Sequence, residues 1–241
     1  MNNKLLICTW LLAAANTVWA QDSLEEVVVT GSRADASIPG TSLKRAGDFI
    51  LLSVQVSNDS RDERTRKNEI EATLRAMLAA APRDKSIELS VIGDNNLVLP
   101  LKIDSATLSL LNGKRPDTTE TTINVKTRIP ANAGNSTALV ARLRDFVTGI
   151  KPVGRTLIDG DGDFEISIVN PAQYRDRVID LFAADVKKVT AALGADYKVV
   201  AQGIDLPIEW VREGMLEVTI FVPYHYDVLP ASVTSYARHA E

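Results

Sequence analysis

The sequence predicts an α+β fold in which three amphipathic helices pack on a mixed or antiparallel sheet. Three apolar stripes recur at helical spacing, and between them lie runs in which β-branched and polar residues alternate. Apolar residues make up 45% of the 241-residue chain and charged ones 24%, a balance that supports a packed core and not a disordered chain.

The chain opens on a secretory leader. Lys4 supplies its positive charge, Leu5 to Ala15 its apolar run and Val18-Trp19-Ala20 its small-residue ending, so removal of residues 1–20 before Gln21 is expected. That apolar run is too short to span a bilayer. Glu25, Glu26, Val27, Val28, Val29, Thr30 and Gly31 follow as a first strand or a free arm. Small and turn-forming residues from Ala34 to Thr41 then predict a linker, which sets residues 21–47 apart from a body over 48–230.

Phe49 to Val56 is rich in β-branched residues and predicts a strand. Ser60-Arg61-Asp62-Glu63 has the pattern of a capping box, and Ile70, Leu74, Met77, Leu78 and Ala81 form the first helical stripe, closed by Pro82. Ile87, Leu89 and Val91 alternate, Gly93 to Asn96 supply turn residues, and Leu97 to Leu101 return as the second arm of a hairpin. After a polar loop around Lys114 to Thr118, Ile123, Val125 and Thr127 alternate again. Pro130 and the small residues Ala131 to Asn135 end that strand. Leu139, Leu143, Phe146 and Val147 make the second helical stripe, with Gly149 as its stop.

Arg155 to Ile158 and Phe164 to Ile168 flank Asp159-Gly160-Asp161-Gly162-Asp163, the pattern of a tight hairpin. Asn170 and Pro171 start the third helix, with Val178, Phe182, Val186, Val189 and Leu193 on one face and Gly194 beyond its end. Lys198 to Ala201 and Leu216 to Val228 form the last strand pair. In the second of these Leu216, Val218, Ile220, Val222, Tyr224, Tyr226 and Val228 take alternate positions, which assigns Glu217 and Thr219 to the solvent face. Pro223 lacks a donor, so the strand bends, bulges or lies at an edge there. Residues 231–241 read as a loose tail.

The chain carries 27 Lys and Arg against 31 Asp and Glu, for a net charge of −4, and loss of Lys4 with the leader makes it more negative. That balance argues against a nucleic-acid surface. The one cysteine, Cys8, lies in the leader, so the mature chain has no disulfide and no thiolate metal site. The densest carboxylate group, Asp159, Asp161 and Asp163, is the candidate for Ca2+ bound through oxygen. Its spacing departs from a calcium-binding EF-hand loop, since Phe164 follows Asp163 and Asn170 holds the twelfth place, and a plain Asp-Gly turn is the preferred reading.

His225 and His239 are the only histidines, and neither falls in a metal-binding or triad spacing. Alternation turns His225 away from the apolar face, beside Asp227 and Glu217. Tyr174 to Arg177 and Arg61 to Lys67 read as solvated helix faces. Trp210, among Glu209, Arg212 and Glu213, reads as core packing at a strand turn, with a subunit contact as the alternative. No cofactor-binding motif is present, and no enzyme activity is expected.

In order and texture these elements resemble the SIMPL-domain family of bacterial envelope proteins. The resemblance rests on the strand and turn from Val27 to Gly31, the apolar strand from Phe49 to Val56, the charged helix from Ser60 to Ala81, the Ala-rich helix from Tyr174 to Gly194 and the alternating segment from Leu216 to Val228. It implies a SIMPL-like fold and a non-enzymatic periplasmic protein that self-assembles into rings or channel-like homo-oligomers. Glu25 to Arg33 also resemble the TonB-box region of outer-membrane TonB-dependent receptors, an extended segment that adds to the sheet edge of a TonB-like partner. The chain is too short for a receptor barrel, so that likeness implies a small TonB-coupled envelope component. A hydrolase or lyase with an unrecognised carboxylate site is the third expectation.

Overall fold

The structure, a computed structural model, describes residues 25–29, 38–84, 86–104, 108–113, 115, 117–131 and 136–234. The expected leader, Thr30, Gly31, the first half of the expected linker, the breaker segment 132–135, His239 and the tail beyond 234 lie outside the described residues. The strands are β1 (Glu26–Val29), β2 (Leu43–Ala46), β3 (Phe49–Asn58), β4 (Ile87–Ile92), β5 (Val98–Pro100), β6 (Leu111–Asn112) and β7 (Thr119–Arg128). They continue with β8 (Thr156–Asp159), β9 (Phe164–Val169), β10 (Tyr197–Gln202), β11 (Glu209–Arg212), β12 (Glu217–Phe221) and β13 (His225–Pro230). The helices are α1 (Glu63–Ala80), α2 (Thr137–Thr148) and α3 (Arg175–Leu193). The described strands all pair antiparallel, so the fold is α+β with antiparallel sheets.

The largest sheet runs β1-β9-β3-β7-β4-β5, with β8 also on β3 and β6 also on β7. Its spine is the β3–β7 pair, which keeps one register from Phe49 opposite Arg128 to Asn58 opposite Thr119. Val27 of β1 bridges Leu97, the residue ahead of β5. The two ends of the strand order therefore meet, and the sheet curls towards closure. On its convex face Ile50, Leu52, Val54, Val56, Ile123 and Val125 are fully buried under α1 and α2. Ile70, Leu74 and Met77 of α1 and Leu139, Leu143 and Val147 of α2 meet them, as the two stripes predict. Each such side chain contributes about 1.5–3 kcal/mol on burial.

The cap of α1 is Asp62, two residues later than the capping-box pattern places it. Its carboxylate accepts from the Thr65 amide at 2.7 Å, which satisfies a free donor of the first turn. Ser60 is held elsewhere: its amide donates to Asn58 Oδ1 at 2.8 Å and its hydroxyl to Glu69 at 3.1 Å.

The Asp-Gly segment is a bulge and not a hairpin. β8 and β9 lie end to end along the same side of β3, with Asp159 opposite Gln55 and Phe164 opposite Leu52. Gly160 to Asp163 therefore span only Ser53 and Val54, and the surplus residues loop outwards. A Cβ on Gly162 would fall 2.2 Å from the Ser53 carbonyl oxygen, so only glycine fits that approach.

The long terminal strand divides at Pro223. The Tyr224 amide donates to the Val222 carbonyl at 2.8 Å, closing a three-residue turn centred on the proline. Before the turn, β12 lies between β11 and β2; after it, β13 pairs with β10 alone. Leu216, Val218, Ile220 and Val222 enter the main core, as their alternation predicts. Thr219 is also fully buried, with Phe221, so its assignment to solvent is corrected: β12 is buried on both faces. Tyr224 meets Phe182 of α3 edge-on, with ring centroids 4.3 Å apart.

Helix α3 packs chiefly on β10 and β12, with its Val178 joining the main core. Of its stripe only Val178 and Phe182 are buried; Val186 and Val189 are half-buried and Leu193 is exposed. β2 lies between the expected linker and the expected body, where no strand is predicted, and it pairs with β12.

Candidate functional site

Strand parity turns a second set of side chains onto the concave face of the large sheet. Phe49 and Leu51 of β3 lie opposite Arg128 and Lys126 of β7, and opposite Ser167 and Glu165 of β9. Glu88 and Ser90 of β4 lie opposite Lys126 and Asn124. Val28 of β1 lies opposite Ser167, and Glu26 opposite Val169. Cross-strand partners share a face, so five strands build one trough, in which polar groups of four of them surround a small apolar cluster of Val28, Phe49, Leu51 and Val98.

The centre of that trough is Lys126. Its ammonium pairs with the Glu26 carboxylate, and the other Glu26 oxygen accepts from the Ser167 hydroxyl at 2.6 Å. The two charged side chains retain 7% and 11% of their exposure, so the pair is largely out of water. Glu88 stands 3.3 Å from the same ammonium, more openly placed. The ammonium also lies 4.2 Å from the centre of the Phe49 ring, which Arg128 approaches at 4.7 Å.

Further along the trough the Ser90 hydroxyl and the Asn124 carbonyl oxygen are buried with no hydrogen-bond partner among the described residues. One oxygen of Glu165 is in the same position. Burial pushes the Glu165 carboxyl above the ordinary carboxylate range; Arg212 opposes that shift and Asp163 adds to it. Beside the Lys126 pair opens a cavity of about 630 Å3, bordered by Glu25, Glu88, Val98, Pro100 and Lys102.

The Ser167 hydroxyl donates to the same carboxylate that pairs with Lys126, so the three side chains form one closed set of contacts. His225, exposed on β13, belongs to another sheet. What the charged trough does hold is β1: Glu26 enters the Lys126 and Ser167 pocket while Val27, Val28 and Val29 are 3%, 1% and 0% exposed.

The other residues singled out in the sequence are scattered. Asp159 and Asp161 line a groove of about 710 Å3 with Arg144, and Asp159 Oδ1 accepts from the Asp161 amide at 2.9 Å, a turn contact. Among the described residues no group of three His, Cys, Asp or Glu is placed to hold a metal, so Asp159, Asp161 and Asp163 do not form the calcium candidate. Trp210 lies in β11 opposite Ile220, half-buried against the main core beside a hollow of about 270 Å3. Tyr174 accepts from Arg45, which also pairs with Asp48 at 2.8 Å and so ties β2 to the start of α3. Arg66, inside the run read as a solvated face, is buried and donates to Thr119 at 3.0 Å and to the Ser60 carbonyl at 2.9 Å.

Lys126, Ser167 and Phe49 carry no signal in the sequence. Asn124 and Lys126 alternate with Ile123 and Val125 as the solvent face of any half-buried strand does, and only the curl of the sheet turns that face inwards. Among the described residues no helix is long and apolar enough to cross a membrane. No family model matches the chain, and no curated protein matches it.

Proposed function

We propose that the protein is a periplasmic envelope protein of SIMPL-like type that acts by binding and self-assembly, without enzymatic chemistry. The periplasmic address rests on the leader. One observation carries the assembly reading: the β10–β13 pair and the end of α3 keep apolar side chains in water. Leu193, Tyr197 and Val228 are 39%, 45% and 40% exposed. Val199 faces Val228, and Tyr197 lies two positions along the same face of β10. Helix α3 packs on β10 but leaves these apolar side chains uncovered, and a second copy supplies the cover.

The test is the solution mass of the mature chain by light scattering. A species of several chains is expected, reduced to one chain by Tyr197→Ser with Val228→Ser while the circular dichroism is unchanged. A strict monomer at every concentration contradicts the reading. The TonB-coupled reading requires β1 to leave β9 before a TonB-like partner engages it. Capture of such a partner by the intact chain, lost on deletion of Glu25 to Arg33, would favour that reading instead.

A further inference from the structure

The edge of β9 is a strand-accepting groove, and β1 occupies it through contacts that belong to no neighbour in sequence. Glu26 meets Lys126 and Ser167, 100 and 141 residues away. The strand pairs along its whole length with β9 and touches the far side of the sheet through one bridge, Val27 to Leu97. The pocket reads three features of the incoming strand. An acidic residue reaches Lys126, Val28 fills the concave cluster with Val98, Phe49 and Leu51, and Val29 enters the main core. Val27 is buried beside Leu97.

Only the connection to β2 makes this contact intramolecular. It runs from residue 30 to residue 42, between the end of β1 and the start of β2. An extended chain spans about 3.3–3.6 Å per residue, so this connection can reach roughly 40 Å. That length lets β1 reach a neighbour as well as its own chain when the protein is concentrated, and the contacts remade are identical. We propose that β1 exchanges between copies, so that the β9 groove of one chain accepts Glu26 to Val29 of a second. This rests on the self-assembly reading above and names its connecting element. The resemblance to a segment that adds to a partner's sheet edge then has a physical counterpart: β1 does add to a sheet edge, and the edge is that of this protein.

The mature chain has no cysteine of its own, which makes cross-linking clean. Val28 and Ser167 face each other across the β1–β9 pair. Full-length mature Val28→Cys and Ser167→Cys chains are refolded together at high concentration and oxidised. Exchange predicts a covalent dimer at twice the chain mass in the mixture and in neither variant alone. No dimer in the mixture, while the Val28→Cys/Ser167→Cys double variant closes within its own chain, overturns the proposal. A second readout avoids the substitutions: a labelled synthetic peptide of residues 22–33 is added to the unaltered mature chain during refolding. Retention of the peptide on gel filtration, lost for a Glu26→Lys peptide, supports the groove; equal retention of both, or none, overturns it. The two readings fail separately. A large assembly without the cross-link retains self-assembly and overturns exchange, whereas a cross-linked pair that never exceeds two chains retains exchange and overturns the larger assembly.

Discussion

Separating Glu26 from Lys126 tests whether the ion pair fastens β1, and its magnitude follows from burial. Both side chains are about nine-tenths covered, and removing one member of such a pair strands the other charge in a poorly solvated site, a loss of roughly 3–5 kcal/mol. The two single losses are unequal. Glu26→Gln leaves Lys126 beside Glu88 at 3.3 Å and over the Phe49 ring, so its loss lies near 3 kcal/mol. Lys126→Met leaves Glu26 with the Ser167 hydroxyl and no cation, so its loss lies near 5 kcal/mol. The double variant has no buried charge to strand and loses less than either single change by about 1 kcal/mol or more. Urea unfolding of the mature chain reads all four proteins, with midpoints compared at a common slope. Losses that simply add in the double variant, or singles within about 0.5 kcal/mol of the parent, would refute the reasoning, since that is the behaviour of an exposed pair.

Phe221→Ala is expected to destabilise by about 3–5 kcal/mol, comparable with Ile220→Ala, although the two residues point to opposite faces; Glu217→Ala is nearly silent in the same unfolding series. Gly162→Ala places a methyl group against the Ser53 carbonyl and lowers the thermal midpoint, at a cost of roughly 1–3 kcal/mol, whereas Gly40→Ala meets nothing within 4 Å and leaves the midpoint in place. Glu165 holds its proton to a higher pH in the folded chain than in the unfolded one, so its contribution to stability falls as pH rises from the unfolded value through the folded one. Glu165→Gln is expected to remove that fall and flatten the stability profile on the alkaline side of the ordinary carboxylate range.

What the sequence made legible was periodic and local. The stripes of α1 and α2, the alternation of β7 and of Leu216 to Val222, and the breaks at Pro82 and Pro223 each have a cause within a few residues. What it hid depends on distant partners. β8 and β9 each read as one arm of a hairpin because two short strands around Asp-Gly normally pair with each other. Instead both find β3, whose ten residues are long enough to seat them end to end. Thr219 looked exposed because alternation describes a strand with one wet face, and β12 is buried on both of its faces. The trough was hidden for the same reason. Lys126 is an ordinary surface lysine by pattern, and becomes a buried one only because the sheet curls until Val27 meets Leu97.

The trough and the exchange both require β1 to be a docked strand of that curled sheet. Hydrogen exchange of the mature chain, resolved at the Val27 and Val29 amides, tests it. Exchange slowed to the level of the β3 and β7 amides is the predicted result, and in the Lys126→Met chain the protection of these amides falls before that of β3. Exchange at the rate of an unfolded chain from Glu26 to Val29, with β3 and β7 still protected, would contradict it.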